Sequence, residues 1–297
     1  MTGDPAAAGS SLPRIGWIGA GMMGSAMAAR LMAAGHPLSV TANRSRARID
    51  ALLADGATEA AGPATLAAGV DILVTCVPDA PAVEAVAEAV LPALAPGALW
   101  IDVTTSLPEV SRRIAARLAG RGIAFADAPV TGGPPQAAEG TLAALIGCAE
   151  AVFPRVEATL APCTKVVRRF GEPGSGHAAK LLNNLVSQGT MVLLADAYRA
   201  AAALGVDRAA LYEVMMAGAA RSGTLEKAVA PALAGNYDGA RFSIANAAKD
   251  LAYARALLET AASVDPAVAA ALADRLAARV GAGEGEAFVS TMLRPDA

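Results

Sequence analysis

Ile15-Gly-Trp-Ile-Gly19-Ala-Gly21-Met-Met-Gly24 decides how this chain is read. A short apolar run that suits a buried strand enters G-x-G-x-x-G, and a helical stretch, Met22–Ala34, follows at once. Each glycine has a physical task in a dinucleotide-binding turn. Gly19 makes the tight turn, Gly21 lets a pyrophosphate approach the backbone, and Gly24 allows helix and strand to pack closely. The helix start, with Met22 and Met23, offers N–H groups and a partial positive charge to phosphates. Alone the pattern is weak in a chain rich in alanine and glycine. The strand before it, the helix after it and a second strand in register give it weight.

Outward from that turn, short apolar runs alternate with amphipathic ones. Strands are predicted at Arg14–Gly19, Leu38–Ala42, Asp71–Val77, Ala98–Val103, Ile123–Ala126, Leu142–Gly147 and Thr164–Arg168. Helices are predicted at Met22–Ala34, Ser45–Ala54, Pro81–Leu91, Leu107–Ala119 and Ala149–Leu160. This alternation argues an α/β fold, a doubly wound Rossmann sheet of parallel βαβ units. The pattern changes after Gly171-Glu-Pro-Gly-Ser-Gly176: no convincing strand follows, and His177–Leu204 reads as one long helix of roughly 40 Å. Further helices are expected at Arg208–Ala217, Ser243–Thr260 and Pro266–Val280. The expected organisation is a flexible tail over 1–13, a nucleotide-binding domain over 14–173, and an all-α domain over 174–297 entered through the long helix.

Composition narrows the function classes. A hydrophobic share of 55% against 17% charged residues excludes a disordered chain of 297 residues. A net charge of −3 gives no basic footprint for nucleic acid or an anionic membrane. The apolar run Ile15–Ala29 lacks a basic leader, since Met1–Pro13 carries Asp4 and neither Lys nor Arg. Elsewhere polar side chains interrupt each apolar stretch before the ~18 residues of a spanning helix. The expectation is a soluble, cytoplasmic protein. Cys76, Cys148 and Cys163 are odd in number and widely spaced, so they read as reduced, buried thiols and not as a disulfide framework. With only His36 and His177 present, no metal site is expected.

The end of the second strand chooses the coenzyme. An acidic residue there would bind the ribose 2′-hydroxyl of NAD, whereas an arginine accommodates the 2′-phosphate of NADP. Asn43, Arg44 and Ser45 stand there without a carboxylate, so NADP(H) is expected in preference to NAD(H).

Two further stretches carry chemistry. Asp127-Ala-Pro-Val-Thr131-Gly132-Gly133-Pro-Pro-Gln-Ala-Ala-Glu-Gly140 is dense in turn formers, and its paired glycines let consecutive N–H groups converge on an anion such as a substrate carboxylate. His177, Lys180 and Asn184 fall on one face of the long helix. Reducing a carbonyl by hydride leaves an alkoxide, and a positioned Lys180 ammonium can protonate it. Partial burial would lower its pKa toward a useful range. His177 reads as a first-turn surface residue, because no carboxylate partner is evident near it.

The motifs GWIGAGMMG, VTCVPDAPAV, IDVTTSLPE, DAPVTGGPPQAAEGTL, GSGHAAKLLNN and FSIANAAKDLAYA stand in the order of the β-hydroxyacid dehydrogenase family, which the chain resembles from Ile15 to about Leu293. The resemblance implies Lys180 as the catalytic lysine, Asn184 as the substrate-orienting amide, and Thr131-Gly132-Gly133 as the carboxylate-binding loop. It also implies Val77 and Pro78 as a coenzyme-lining loop, Thr105 beside the nicotinamide, and Lys249 near coenzyme and substrate. The implied activity is hydride exchange between NADPH and a small semialdehyde or keto acid, with a 3-hydroxy acid as reverse substrate. Three departures bear on substrate: Thr131 replaces the usual Ser, Gln136 stands where glycine is common, and Ala287 lacks the Asp often found before the aromatic.

Imine reductases share the fold and the Asn-Arg-Ser/Thr signature but differ at the lysine and the DAPVTGG loop. In 6-phosphogluconate dehydrogenase a His and a Glu follow the lysine at places held here by Asn183 and Ser187. A non-catalytic NADP-binding scaffold would have lost the lysine. An alanine-rich helical domain that cannot cover its own apolar faces predicts a homodimer or homotetramer.

Overall fold

The computed structural model describes residues 12–42 and 46–295. These residues divide into two compact units, one ending at His177 and the other beginning at Ala178. The first unit is built on a nine-stranded sheet: β1 (Ile15–Ile18), β2 (Leu38–Thr41), β3 (Thr58–Ala60), β4 (Ile72–Thr75), β5 (Leu99–Asp102), β6 (Ala124–Asp127), β7 (Val130–Thr131), β8 (Leu142–Gly147) and β9 (Thr164–Gly171). The order is 3-2-1-4-5-6-8-7, with β9 paired to β8. Strands β3 to β6 along that order are all parallel. β8 turns antiparallel to β6 and β7 and takes β9 as a parallel partner.

Helices α1 (Met22–Ala33), α2 (Arg46–Ala54), α3 (Pro63–Ala68), α4 (Ala80–Val90), α5 (Pro108–Ala119), α6 (Pro134–Glu139) and α7 (Phe153–Leu160) connect the strands. Each residue of β1, β4 and β5 is buried, as strands covered on both faces must be. That explains why Ile-Leu-Val and Leu-Trp-Ile read as unbroken apolar runs, each ending in a buried polar residue, Thr75 or Asp102. The main predicted strands and helices are found with ends displaced by a few residues. β3 and α3 went unread because Thr58-Glu59 is exposed and polar; pairing to β2, not apolar pattern, holds that edge.

The second unit is helical. It continues α8 (Ser175–Ala203) and adds α9 (Arg208–Ala217), α10 (Ala230–Leu233), α11 (Ile244–Glu259) and α12 (Ala267–Gly281). Met191, Leu194, Ala195 and Tyr198 of α8 pack with Ile244, Ala247 and Leu251 of α11 and Leu276 of α12. A π-helical turn at Leu225–Val229, unforeseen, widens the backbone just before α10. Beyond His177 the only bridge between extended segments among the described residues joins Ser243 to Phe288. Within the described residues no helix is long and apolar enough to cross a membrane. Cys148 and Cys163 are buried as expected, whereas Cys76 is only half-buried.

Candidate active site

The glycine turn closes β1 onto α1 in the predicted way. Gly19 has φ +103°, and a Cβ there would sit 2.1 Å from the Cys76 carbonyl, so both conformation and space require glycine. A Cβ on Gly24 would sit 2.0 Å from the Gly19 carbonyl. Gly21 differs: a Cβ there meets no protein atom within 4 Å. Packing therefore does not demand glycine at that position, whereas a ligand approaching the backbone would. No side chain caps α1, and its first turn holds no acidic residue. Met22 is exposed and Met23 half-buried beside these free helix-start groups. The turn lies at the carboxyl end of β1, where the sheet order reverses between β1 and β4, the place where such sheets bind ligands. The turn thus fits a dinucleotide. Asn43, Arg44 and Ser45 lie outside the described residues.

The carboxyl ends of β4 and β5 are tied together. Val77 N–H donates to Thr104 Oγ1 at 3.1 Å. Thr75 Oγ1 donates to Asp102 Oδ1 at 2.8 Å and accepts from the Trp100 indole at 2.9 Å. Thr104 N–H also reaches Asp102 Oδ1, at 3.2 Å. Val77 and Thr105 are half-buried and Pro78 is exposed.

His177 is not the surface residue expected. It is fully buried, and two carboxylates that the sequence did not associate with it lie close by: Asp102 at 3.9 Å from Nε2 and Asp127 at 3.8 Å from Nδ1. Both come from strand ends fifty or more residues away, a proximity only the sheet creates. Asp127 accepts from the backbone N–H of Gly174 at 2.6 Å and of His177 at 2.7 Å. Burial pushes the Asp127 carboxyl above its ordinary range, opposed by His177 and those N–H donors.

The Thr131-Gly132-Gly133 segment is more ordered than a plain turn. Val130–Thr131 forms β7, and Pro134–Glu139 forms α6. Gly132 has φ +121°, which favours glycine. The amide of Gly133 is already engaged: its N–H donates to Gln136 Oε1 at 2.8 Å. One donor of the expected anion nest is therefore held by the side chain that stands in place of a glycine.

In the second unit, Lys180 and Asn184 lie one turn apart on α8, 8% and 4% exposed. Asn184 Nδ2 donates to Asp250 Oδ2 at 2.6 Å. Lys249 Nζ lies 3.0 Å from Asp250 Oδ1 and 5.3 Å from the centre of the Tyr253 ring. Burial lowers the Lys180 pKa to about 8; Asp250 raises it and Lys249 lowers it, both by smaller amounts. An ammonium that releases its proton near neutrality can exchange it with a substrate oxygen. Asp250 was missed, although a signal existed. Ala247, Leu251 and Ala254 mark the buried stripe of α11, and Asp250 falls on it.

Residues 14–171 match the NAD binding domain of 6-phosphogluconate dehydrogenase, and residues 174–295 match the NAD-binding domain of NADP-dependent 3-hydroxyisobutyrate dehydrogenase. The mitochondrial 3-hydroxyisobutyrate dehydrogenase of Drosophila melanogaster is 32% identical over 85% of this chain and 80% of its own. The chain belongs to the 3-hydroxyisobutyrate dehydrogenase, or β-hydroxyacid dehydrogenase, family. The 2-hydroxy-3-oxopropionate reductase of Escherichia coli is 33% identical over 72% of this chain and 73% of its own. A solved structure of the Mycobacterium tuberculosis 3-hydroxyisobutyrate dehydrogenase with L-serine superimposes at a TM-score of 0.85, with 27% identity, covering 95% of this chain and 98% of that one. As a β-hydroxyacid dehydrogenase family member, the chain is an NAD(P)-dependent oxidoreductase with a Rossmann-type first domain and a helical second domain.

Proposed function

We propose that this family member is an NADP(H)-dependent reductase of a small semialdehyde or keto acid, working in reverse as a dehydrogenase of a 3-hydroxy acid. The observation that carries the reading is Lys180: a buried ammonium with its pKa lowered to about 8, one helical turn from an amide held by Asp250. When bound, the nicotinamide supplies the hydride. Lys180 gives its proton to the alkoxide oxygen as the carbonyl is reduced, and takes it back in the oxidative direction. Asn184, held by Asp250, orients the substrate oxygen. Thr131, Gly132 and Gly133 hold the substrate carboxylate. Gly19, Gly21, Met22, Met23 and Gly24 bind the pyrophosphate; Val77, Pro78, Thr105 and Lys249 line the coenzyme. The domain organisation that serves this is a coenzyme domain over 14–173 and a helical domain over 174–297.

NADP(H) is favoured because Asn43-Arg44-Ser45 offers a guanidinium and no carboxylate to a 2′-phosphate. Neighbouring Arg46 is occupied by Asp50 at 2.7 Å and Glu59 at 2.6 Å. A homodimer or homotetramer is favoured by Leu182, Val186 and Leu193, which are 45%, 70% and 64% exposed along α8. Turnover of glyoxylate, succinic semialdehyde, methylmalonate semialdehyde and tartronate semialdehyde with both coenzymes tests the reading. Lys180→Ala should cut turnover ~10²–10⁴-fold with little change in coenzyme affinity. Near-normal turnover would remove Lys180 from the mechanism.

A further inference from the structure

The first unit contains a buried polar cluster that hydride transfer by itself does not call for. His177 is completely enclosed, yet both ring nitrogens are bonded: Nε2 lies 2.8 Å from the Thr104 carbonyl and Nδ1 lies 2.7 Å from Ser111 Oγ. A carbonyl only accepts, so Nε2 carries a hydrogen, and in the neutral ring Nδ1 then accepts from the Ser111 hydroxyl. Two carboxylates flank the ring: Asp102 Oδ2, buried and without a hydrogen-bond partner, lies 3.9 Å from Nε2, and Asp127 Oδ2 lies 3.8 Å from Nδ1. Their charges act on both nitrogens alike, so the hydrogen bonds to Thr104 and Ser111 set the tautomer.

The object of this arrangement is Thr104. Its hydroxyl accepts from Val77 N–H, its own N–H donates to Asp102, and its carbonyl accepts from His177. Three chain segments, the loop after β4, the end of β5 and the first turn of α8, therefore converge on one residue beside Thr105. An apolar side chain would fill the space occupied by the imidazole and leave the Thr104 carbonyl without this donor. Histidine specifies where that carbonyl sits.

We propose that His177 is a positioning residue for the coenzyme: its imidazole, set by Ser111, holds the Thr104 carbonyl and thereby the Val77 and Thr105 surface against which the nicotinamide rests. This role rests on the proposed function, in which Val77 and Thr105 line the coenzyme.

The test uses the full-length protein, NADPH, and NADPH deuterated at the transferred position. His177→Leu removes the donor and keeps bulk; His177→Gln keeps an amide N–H for Thr104. His177→Leu should raise the Kd for NADPH about tenfold and increase the deuterium isotope effect on kcat, while His177→Gln returns both to within about threefold of wild type. The isotope effect separates misplacement of the nicotinamide from loss of folded protein, which lowers kcat without changing it. Unaltered Kd and isotope effect in His177→Leu, or equal damage in both variants, overturns the role. Should His177→Leu fail to fold, Ser111→Ala releases the tautomer lock and should shift Kd in the same direction; an unshifted Kd overturns the role. Wild-type protein that binds neither NADPH nor NADH overturns the proposed function and this role with it. Wild-type turnover beside an unaffected His177→Leu overturns the role of His177 alone.

Discussion

Asn184 and Asp250 share a hydrogen bond of 2.6 Å between two buried side chains, 66 residues apart in sequence. Asp250 thereby fixes the amide on α8 while its charge counteracts the desolvation of Lys180 one turn away. Replacing Asp250 by Asn removes that charge. The Lys180 pKa then falls further below about 8, and the alkaline limb of the reduction rate moves to lower pH. A pH–rate profile of kcat in both directions checks this. In the proposed mechanism reduction needs the protonated lysine and declines as pH rises through its pKa, whereas oxidation gains over the same interval.

Burying the Lys180 charge also costs stability. Its folded pKa of about 8 lies below the ordinary 10.5, so the unfolded chain binds more protons between those values and stability rises with pH across that window. Lys180→Met should therefore abolish activity yet raise the melting temperature at pH 7, by an equivalent of roughly 2–4 kcal/mol. Thermal melts at pH 7 and pH 10 provide the measurement. The gain should shrink at the higher pH, and an equal gain at both would show that desolvation is not its cause.

The glycines of the phosphate turn should separate binding from folding. Gly21→Ala meets no protein atom, so its melting temperature should stay near wild type while the coenzyme Kd rises. Gly24→Ala drives a methyl into the Gly19 carbonyl and should lose roughly 1–3 kcal/mol of stability as well. Denaturation curves and coenzyme titrations on the same preparations resolve the two.

Gln136 holds the Gly133 N–H, which in the proposed site would otherwise be offered to a substrate carboxylate. Gln136→Gly should lower KM for carboxylate substrates several-fold with kcat nearly unchanged, at a cost of about 1 kcal/mol from the lost cap. Steady-state kinetics across the semialdehyde panel would reveal it; a raised KM would instead make the glutamine side chain a substrate contact.

On the proposed coenzyme assignment, in which Arg44 pairs with the 2′-phosphate, Arg44→Ala should lower the ratio of NADPH to NADH efficiency by about 10- to 100-fold. The ratio of kcat/KM for the two coenzymes is the readout, and an unchanged ratio would place discrimination elsewhere.

Some of the site was legible because its geometry is local. The turn at Gly19, Gly21 and Gly24 spans a single strand-to-helix junction, and Lys180 and Asn184 share a face through helical period alone. The Gln136–Gly133 bond is equally local, three residues apart at a helix start. It escaped because a run of Gly and Pro reads as loop, and the six-residue helix within it has too little apolar pattern to announce itself.

What the amino-acid order determined unaided is whatever depends on a few consecutive residues: the alternation of buried strands with helices, the phosphate turn, and the switch to an all-helical second half. The surroundings of the reactive groups were decided by tertiary structure. Asp250 reaches Asn184 only because α11 packs on α8, and His177 meets Asp102 and Asp127 only because the ends of β5 and β6 converge on the first turn of α8. Desolvation and charge pairing act through space at a few ångströms, and spacing along the chain does not encode distances of that kind.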